Sequence, residues 1–177
     1  KRLKNFAFAP AEGAPAIDPH GEIQAAPASE LDRLLAEGNR EIASKNATAA
    51  VATFESLLTK YPDDPQGLYG LAIASVLSGN ADRARELFEH IVSLQASAKP
   101  DSRGSAQTVD PAIISWSHVY LGRIHDLQDE RDVALAEYRA ALSVDGAPEA
   151  ARTAAQSGVE TAYKPPERPG TSPPPQP

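Results

Sequence analysis

The sequence predicts an all-α protein built from pairs of helices that stack on one another. Between Ser29 and Tyr163 the apolar residues recur at helical spacing, and no segment shows the alternation of a half-buried strand. Residues that favour helix starts precede several of these segments. A pattern of small and aromatic residues also returns after 34 residues, which is typical of a structural repeat.

The apolar pattern divides into seven helices. The last of them is weakened by Gly158, because a glycine inside a helix costs about 1 kcal/mol relative to alanine. We expect the helices near residues 30–44, 48–60, 65–78, 82–96, 111–128, 131–144 and 148–162.

Helix starts are marked by residues whose side chains can accept from free backbone N–H groups. Two of these residues are followed by proline, whose missing N–H is harmless at the first helical position. The predicted N-caps are Ser29, with Asp32 three residues on in a near capping box, and then Asp64, Asn80, Asp110 and Asp129.

Composition separates the helical part, 29–163, from two ends. Residues 1–28 contain four prolines and no sustained helical period, and residues 164–177 contain seven prolines. Both ends lack the apolar side chains that offset the entropy of ordering, so we interpret them as an extended or disordered linker and a disordered tail. The run Phe6-Ala7-Phe8 is an exception. It could be the last strand of a preceding domain or a segment that docks elsewhere.

Aligning three aromatic residues brings three helix pairs into phase. Phe54, Phe88 and Tyr138 then occupy the same position in units at 31–64, 65–98 and 115–148. The third unit starts 50 residues after the second, so an insert separates them, and we expect a surface loop at 99–110. Small residues recur around each ring and would let the helices approach closely. They are Gly38, Ala50, Ala72, Ala84, Gly122 and Ala134.

These positions resemble the tetratricopeptide repeat (TPR), a 34-residue helix–turn–helix unit with a Leu-Gly or Leu-Ala pair in its first helix and a small residue and an aromatic in its second. The third unit fits well with Leu121-Gly122, Ala134, Tyr138 and Ala141. The second fits with Leu71-Ala72, Ala84 and Phe88, and the first with Gly38, Ala50, Phe54 and Pro62. The chain departs from the family pattern at three positions, where it has Glu37 in place of the usual leucine, His125 in place of the usual tyrosine and Gly146 in place of the usual proline. The resemblance, to a bacterial three-repeat module, implies a right-handed α-solenoid of three helix pairs, with 148–162 as the capping helix.

Two features of the third unit suggest chemistry but have simpler explanations. His118 and His125 lie seven residues apart on one helical face, yet a zinc site needs a third ligand that the sequence does not offer at a recognisable spacing. We therefore expect hydrogen-bonded structural roles for both. The acidic run 126–132 lacks the glycine and the alternating ligands of a calcium loop, and we interpret it as helix capping.

No catalytic, cofactor-binding or metal motif occurs, so we expect a non-enzyme without a cofactor or metal. The net charge of 17 − 24 = −7 argues against nucleic acid as a partner. No apolar run is long enough to span a bilayer. The chain contains no cysteine, which excludes disulfides, and no methionine, from which we expect a fragment or a processed product.

The resemblance implies a concave groove lined by residues two, five, six and nine of each first helix, where extended peptides bind. At these positions the chain carries apolar and aromatic residues of the types enriched in binding hot spots. Two alternatives remain open: Trp116 and Tyr120 could pack on the insert or on a neighbouring helix, or a terminal segment of the chain could fill the groove. The predicted partner-binding residues are Asn39, Tyr69, Ile73, Trp116, Tyr120 and Arg123.

The sequence thus predicts a non-catalytic module that binds a protein or peptide partner and could be a subunit of a larger complex. The alternative is a C-terminal appendage of a larger bacterial enzyme or an accessory subunit of a cell-envelope complex, with the activity outside this chain. The sequence leaves the compartment unknown and slightly favours the bacterial periplasm or cell envelope over the cytoplasm.

Overall fold

A computed structural model describes residues 29–97 and 109–165. The predicted linker 1–28, most of the insert 99–110 and the tail from residue 166 onward lie outside the described residues. Within the described part every regular element is a helix, and the seven predicted helices are all present. They are α1 (Glu30–Ala43), α2 (Ala47–Lys60), α3 (Pro65–Leu77), α4 (Ala81–Ser97), α5 (Pro111–Leu127), α6 (Arg131–Ser143) and α7 (Glu149–Glu160).

Most of the predicted N-caps are confirmed. Ser29 and Asp32 form a complete capping box, in which each side chain accepts from the backbone N–H of the other residue. Asp64 and Asp110 each accept a backbone N–H and are each followed by a proline at the first helical position. The side chain of Asn80 accepts from the N–H of Arg83 at 3.2 Å and so begins α4. The local signals in the sequence therefore place these helix starts correctly.

The predicted cap at Asp129 is wrong. Glu130 precedes α6 and its side chain makes no capping hydrogen bond. Asp129 instead adopts a left-handed conformation with φ of 63° in the tight turn after α5. Aspartate is one of the few non-glycine residues that tolerate this region, because its short polar side chain can bond locally. Asp129 therefore contributes to the turn through its left-handed backbone conformation and is not the cap of α6.

The helices form two layers. The odd-numbered helices contact one another in order, α1 with α3, α3 with α5 and α5 with α7. Among the described residues, the even-numbered helices contact only odd-numbered ones. The odd-numbered layer is therefore the tighter one, and the stack curves around it. We call the side of this layer that faces away from the even-numbered helices the inner face.

Successive units are held together by rings that fit between two odd-numbered helices. The ring of Phe54 on α2 lies against Gly38 on α1 and Gly70 on α3. The ring of Tyr138 on α6 lies in the same way against Gly122 on α5 and Gly158 on α7, and a Cβ at either glycine would come within 2.6 Å of the ring. The predicted nesting of rings and small residues is confirmed for these two rings.

Phe88 on α4 is the third member of this series, and its neighbour on α5 is a ring instead of a glycine. It is fully buried, as Phe54 and Tyr138 are. Tyr120 on α5 stacks on it with the two planes 2° apart and the centroids 5.1 Å apart. The three aligned aromatics therefore occupy equivalent places, as their spacing predicted, and the middle interface is filled by a pair of rings.

Candidate functional site

Five of the six predicted partner-binding residues lie together on α3 and α5. Tyr69 and Ile73 lie on α3, and Trp116, Tyr120 and Arg123 lie on α5. The first four belong to one apolar cluster, and the Arg123 guanidinium lies 5.7 Å from the centroid of the Tyr120 ring. We call these five residues the aromatic face. Asn39 lies on α1, whose buried Leu35 belongs to the other core cluster.

The aromatic face is more buried than a simple peptide groove would be. Trp116 and Tyr120 are 0% exposed, Tyr69 is 3% and Ile73 is 6% exposed, whereas Asn39 and Arg123 are half-buried. Tyr120 packs on a neighbouring helix through Phe88, as one of the two alternatives foresaw. The rings therefore serve as core residues of the stack. That they also bind a partner stays a prediction, which rests on their position in the first helices of the repeats.

The rings form a continuous row. Tyr69 meets Phe88 edge to face at 6.0 Å between centroids, and Phe88 stacks on Tyr120. Trp116 follows one turn earlier on α5, 6.1 Å from Tyr120. Such offset and edge-to-face pairs add to the stabilisation that burial alone gives. The row thus connects α3, α4 and α5 into one continuous wall of rings.

Two polar atoms in this wall are buried without a hydrogen-bond partner among the described residues. They are the Tyr69 hydroxyl and the Trp116 indole nitrogen Nε1. Burial raises the pKa of Tyr69 well above its ordinary value, so the hydroxyl keeps its proton. Leaving such a donor unpaired costs about 1–3 kcal/mol. The wall therefore offers two N–H or O–H donors for which a ligand could supply acceptors.

Arg123 places a positive charge at one end of the aromatic face. Its guanidinium lies 4.9 Å from the centroid of the Tyr163 ring, a distance suited to a cation–π contact. Tyr163 belongs to the chain that leaves α7, and its partial burial raises the pKa of its hydroxyl. An arginine held between two rings keeps its orientation and can still donate to a carboxylate or a carbonyl.

The position of Tyr163 depends on the buried carboxylate of Asp126, whose role as a hydrogen-bond acceptor was not predicted from the sequence. The Asp126 side chain is 0% exposed and binds Arg131 through both oxygens, at 2.9 and 3.1 Å. One of its oxygens also accepts from the Tyr138 hydroxyl at 2.9 Å and from the Tyr163 backbone N–H at 2.7 Å. The pKa of Tyr138 is raised by burial and by this carboxylate. Asp126 thus connects α5, α6 and the segment after α7.

The two histidines have separate carboxylate partners. His118 Nδ1 lies 2.7 Å from Glu137 Oε2, and His125 Nδ1 lies 2.7 Å from Glu130 Oε2. Each is therefore hydrogen-bonded within the fold, as the sequence predicted. Within residues 29–97 and 109–165 no cluster of three potential metal ligands occurs. The same described residues contain no helix that is long and apolar enough to cross a membrane.

Stacked helix pairs with a shared inner layer define a helical-repeat protein. Residues 41–101 match the sequence profile of the family described as tetratricopeptide repeat. The fold is similar to that of the Sgt2 TPR domain from Aspergillus fumigatus, with a TM-score of 0.57 and 20% sequence identity over 87% of this chain and 97% of that one. No curated protein matches the chain. The predicted resemblance to tetratricopeptide repeats and the predicted all-α solenoid are confirmed.

Proposed function

We propose that this chain is a non-catalytic module that binds an extended segment of a partner protein along the aromatic face. Tetratricopeptide repeats form protein-interaction scaffolds, and the fold of this chain supports the same role. The observation that carries the proposal is a pair of donors, Tyr69 Oη and Trp116 Nε1, that have no hydrogen-bond partner within residues 29–97 and 109–165 and lie in a wall of buried rings.

An extended peptide has the hydrogen-bond acceptors that this wall lacks. Its backbone carbonyls are acceptors, and those that point toward the wall could accept from the indole N–H of Trp116 and the hydroxyl of Tyr69. Its apolar side chains would pack on the rings. Trp, Tyr and Arg are also the residues that most often dominate binding energy, because they combine apolar area with a polar group.

Arg123 adds a preference for negative charge. The rings of Tyr120 and Tyr163 orient its guanidinium, which can form two parallel hydrogen bonds with one carboxylate. We therefore propose that the partner segment places an acidic residue or its terminal carboxylate beside Arg123. Asn39 on α1 is half-buried and would lie at the far end of the same inner face.

The test is a selection of peptides from a random display library on the immobilised full chain. The affinities of the enriched peptides are then measured on two matched variants. Arg123→Ala removes the charge of the aromatic face, and Arg139→Ala removes an exposed arginine from α6 in the outer layer. We expect Arg123→Ala to weaken binding about tenfold or more, because a hydrogen bond to a charged group contributes roughly 1.5–3 kcal/mol.

Arg139→Ala is expected to leave these affinities unchanged. The proposal is wrong if no peptide is enriched over a blank surface, or if the enriched peptides bind the two arginine variants equally well. Circular dichroism melts of both variants show whether the fold is kept, since Arg123 also contacts two rings.

A further inference from the structure

The burial of the inner face increases along the stack. On α1 the inner-face positions Asp32 and Ala36 are exposed and Asn39 is half-buried, and only Leu35 among these positions is buried. On α3 only Gln66 at the start of the helix is exposed, and on α5 both Trp116 and Val119 are buried. A helix that is buried on every side needs apolar neighbours on every side. The aromatic face therefore suits an apolar occupant, while the inner face of α1 suits solvent.

We propose that Phe6-Ala7-Phe8 of this same chain lies in extended form across the aromatic face, as a built-in occupant that a partner peptide must displace. This inference rests on the proposed function, since it assigns a regulator to the same face. The segment precedes the described residues, and its composition, spacing, charge and reach support the assignment.

Composition favours this segment over the other parts of the chain outside the described residues. Residues 1–28 contain two of the four phenylalanines of the chain. Residues 98–108 and 166–177 contain no aromatic residue and no leucine, isoleucine or valine. An apolar wall gains most from a segment that buries large apolar side chains.

The spacing of the two phenylalanines fits the row of rings. Side chains two residues apart in an extended chain point to the same side, about 6.6 Å apart. Within the aromatic face, the Trp116 and Tyr120 rings lie 6.1 Å apart between centroids. Phe6 and Phe8 could therefore pack on adjacent rings at once.

Charge and reach also favour the segment. Lys1, Arg2 and Lys4 stand beside it, and residues 31–163 carry 12 − 19 = −7. Opposite charges raise the local concentration of the segment near the repeat domain. Twenty residues lie between Phe8 and Ser29, the N-cap of α1, and an extended chain of that length spans up to about 70 Å. The distance from α1 to α5 is about 20 Å, since packed helices lie 8–10 Å apart.

Trp116 provides the test, because it is the only tryptophan of the chain and lies in the aromatic face. The fluorescence of the full chain is compared with that of Phe6→Ala/Phe8→Ala. The control is Pro173→Ala/Pro174→Ala/Pro175→Ala in the proline-rich tail. We expect the phenylalanine variant to shift the emission to longer wavelength and to raise the quenching constant of acrylamide about twofold or more, since its wall is opened to water. We expect the proline variant to match the parent.

Two results would overturn the inference: parent-like emission and quenching in the phenylalanine variant, or a change confined to the proline variant, which would assign the tail as the occupant. These readouts need no partner peptide, so they remain decisive even if the peptide selection fails. Where selected peptides are available, they should bind the phenylalanine variant about tenfold more tightly, because a larger fraction of the chain then has a free face.

Discussion

Gly158 shows how one residue can oppose a local preference for the sake of packing. A glycine inside α7 lowers helix stability, and the sequence alone predicts only this cost. In the structure the Tyr138 ring lies so close to Gly158 that a Cβ there would come 2.5 Å from ring carbons. The ring is held on its other side by Gly122, so it cannot move away easily. The glycine is therefore required by the contact between α6 and α7.

We predict that Gly158→Ala lowers the free energy of unfolding by about 1–3 kcal/mol, although alanine favours helix. Urea unfolding of the two proteins measures the difference. The matched control is Ser157→Ala, an exposed position on the same helix, which should change stability by less than about 0.5 kcal/mol. A gain in stability for Gly158→Ala would show that the ring does not occupy this place.

Removal of the Tyr69 hydroxyl should affect peptide binding and stability differently, so this single group can be tested for each role. Because the group is buried without a partner among the residues that the structure describes, its removal by Tyr69→Phe should leave the free energy of unfolding unchanged or raise it by up to about 1 kcal/mol. The same change should weaken the binding of selected peptides several-fold, since it removes a donor. A thermal melt and a binding titration of one sample check both statements. A clear loss of stability would mean that the hydroxyl is bonded within the fold.

At the scale of helices, Asp126 connects the last repeat with its capping helix. Its carboxylate meets the Arg131 guanidinium, the Tyr138 hydroxyl and the Tyr163 backbone in a place that solvent does not reach. Arg131 also donates to the carbonyl of Val159 at 2.8 Å, near the end of α7. The segment after α7 is thereby held beside Arg123, where the Tyr163 ring forms one side of the guanidinium site.

We predict that Asp126→Asn lowers the free energy of unfolding by about 1–3 kcal/mol, because the buried hydrogen bonds of this carboxylate weaken. The loss is limited because Arg131 is one-third exposed and keeps part of its hydration. Hydrogen exchange should also show faster exchange of the Tyr163 amide, whose acceptor is lost or weakened. Asp132→Asn, in the first turn of α6, serves as the control and should leave the Tyr163 amide as slow as in the parent. Equal exchange rates in parent and Asp126→Asn would contradict the role of this carboxylate.

The sequence predicts the helices well because their signals are local. The Asp-Pro pairs, the capping box at Ser29 and the spacing of Phe54, Phe88 and Tyr138 each depend on residues close along the chain. The role of Asp126 could not be read in this way, since its bond to Tyr163 joins residues 37 apart. Asp129 was misassigned because a tight turn and a helix cap favour the same short polar side chain.

The candidate site was predicted less completely than the fold. Repeat register places Trp116 and Tyr120 on first helices, but register does not tell whether a side chain meets a ligand or a neighbouring helix. Tyr120 stands where the first and last interfaces have Gly70 and Gly158, and it fills this place with a ring that stacks on Phe88. Tyr120 is buried because a tyrosine stands here in place of a glycine. This role could be recognised only from the three-dimensional packing.

On the scale of the whole molecule, the inner and outer layers differ in chemistry. Exposed ion pairs lie along the even-numbered helices, among them Arg83 with Glu55 and Arg85 with Glu89. Such pairs contribute little stability each, typically 0–1 kcal/mol, but they keep a surface solvated. The odd-numbered helices carry the aromatic face and the two unpartnered donors. The asymmetry supports the inner face as the place where a partner binds.

Both the fold and the proposed binding face depend on rings that are each shared by two odd-numbered helices. The most direct measurement is a nuclear Overhauser spectrum of the full chain with labelled aromatic rings and glycines. We predict cross-peaks from the Phe54 ring to the α-protons of both Gly38 and Gly70, and from the Tyr138 ring to those of both Gly122 and Gly158. If either ring showed cross-peaks to the glycine of its own pair alone, the rings would not be shared between successive units and this stacking of the helices would be wrong.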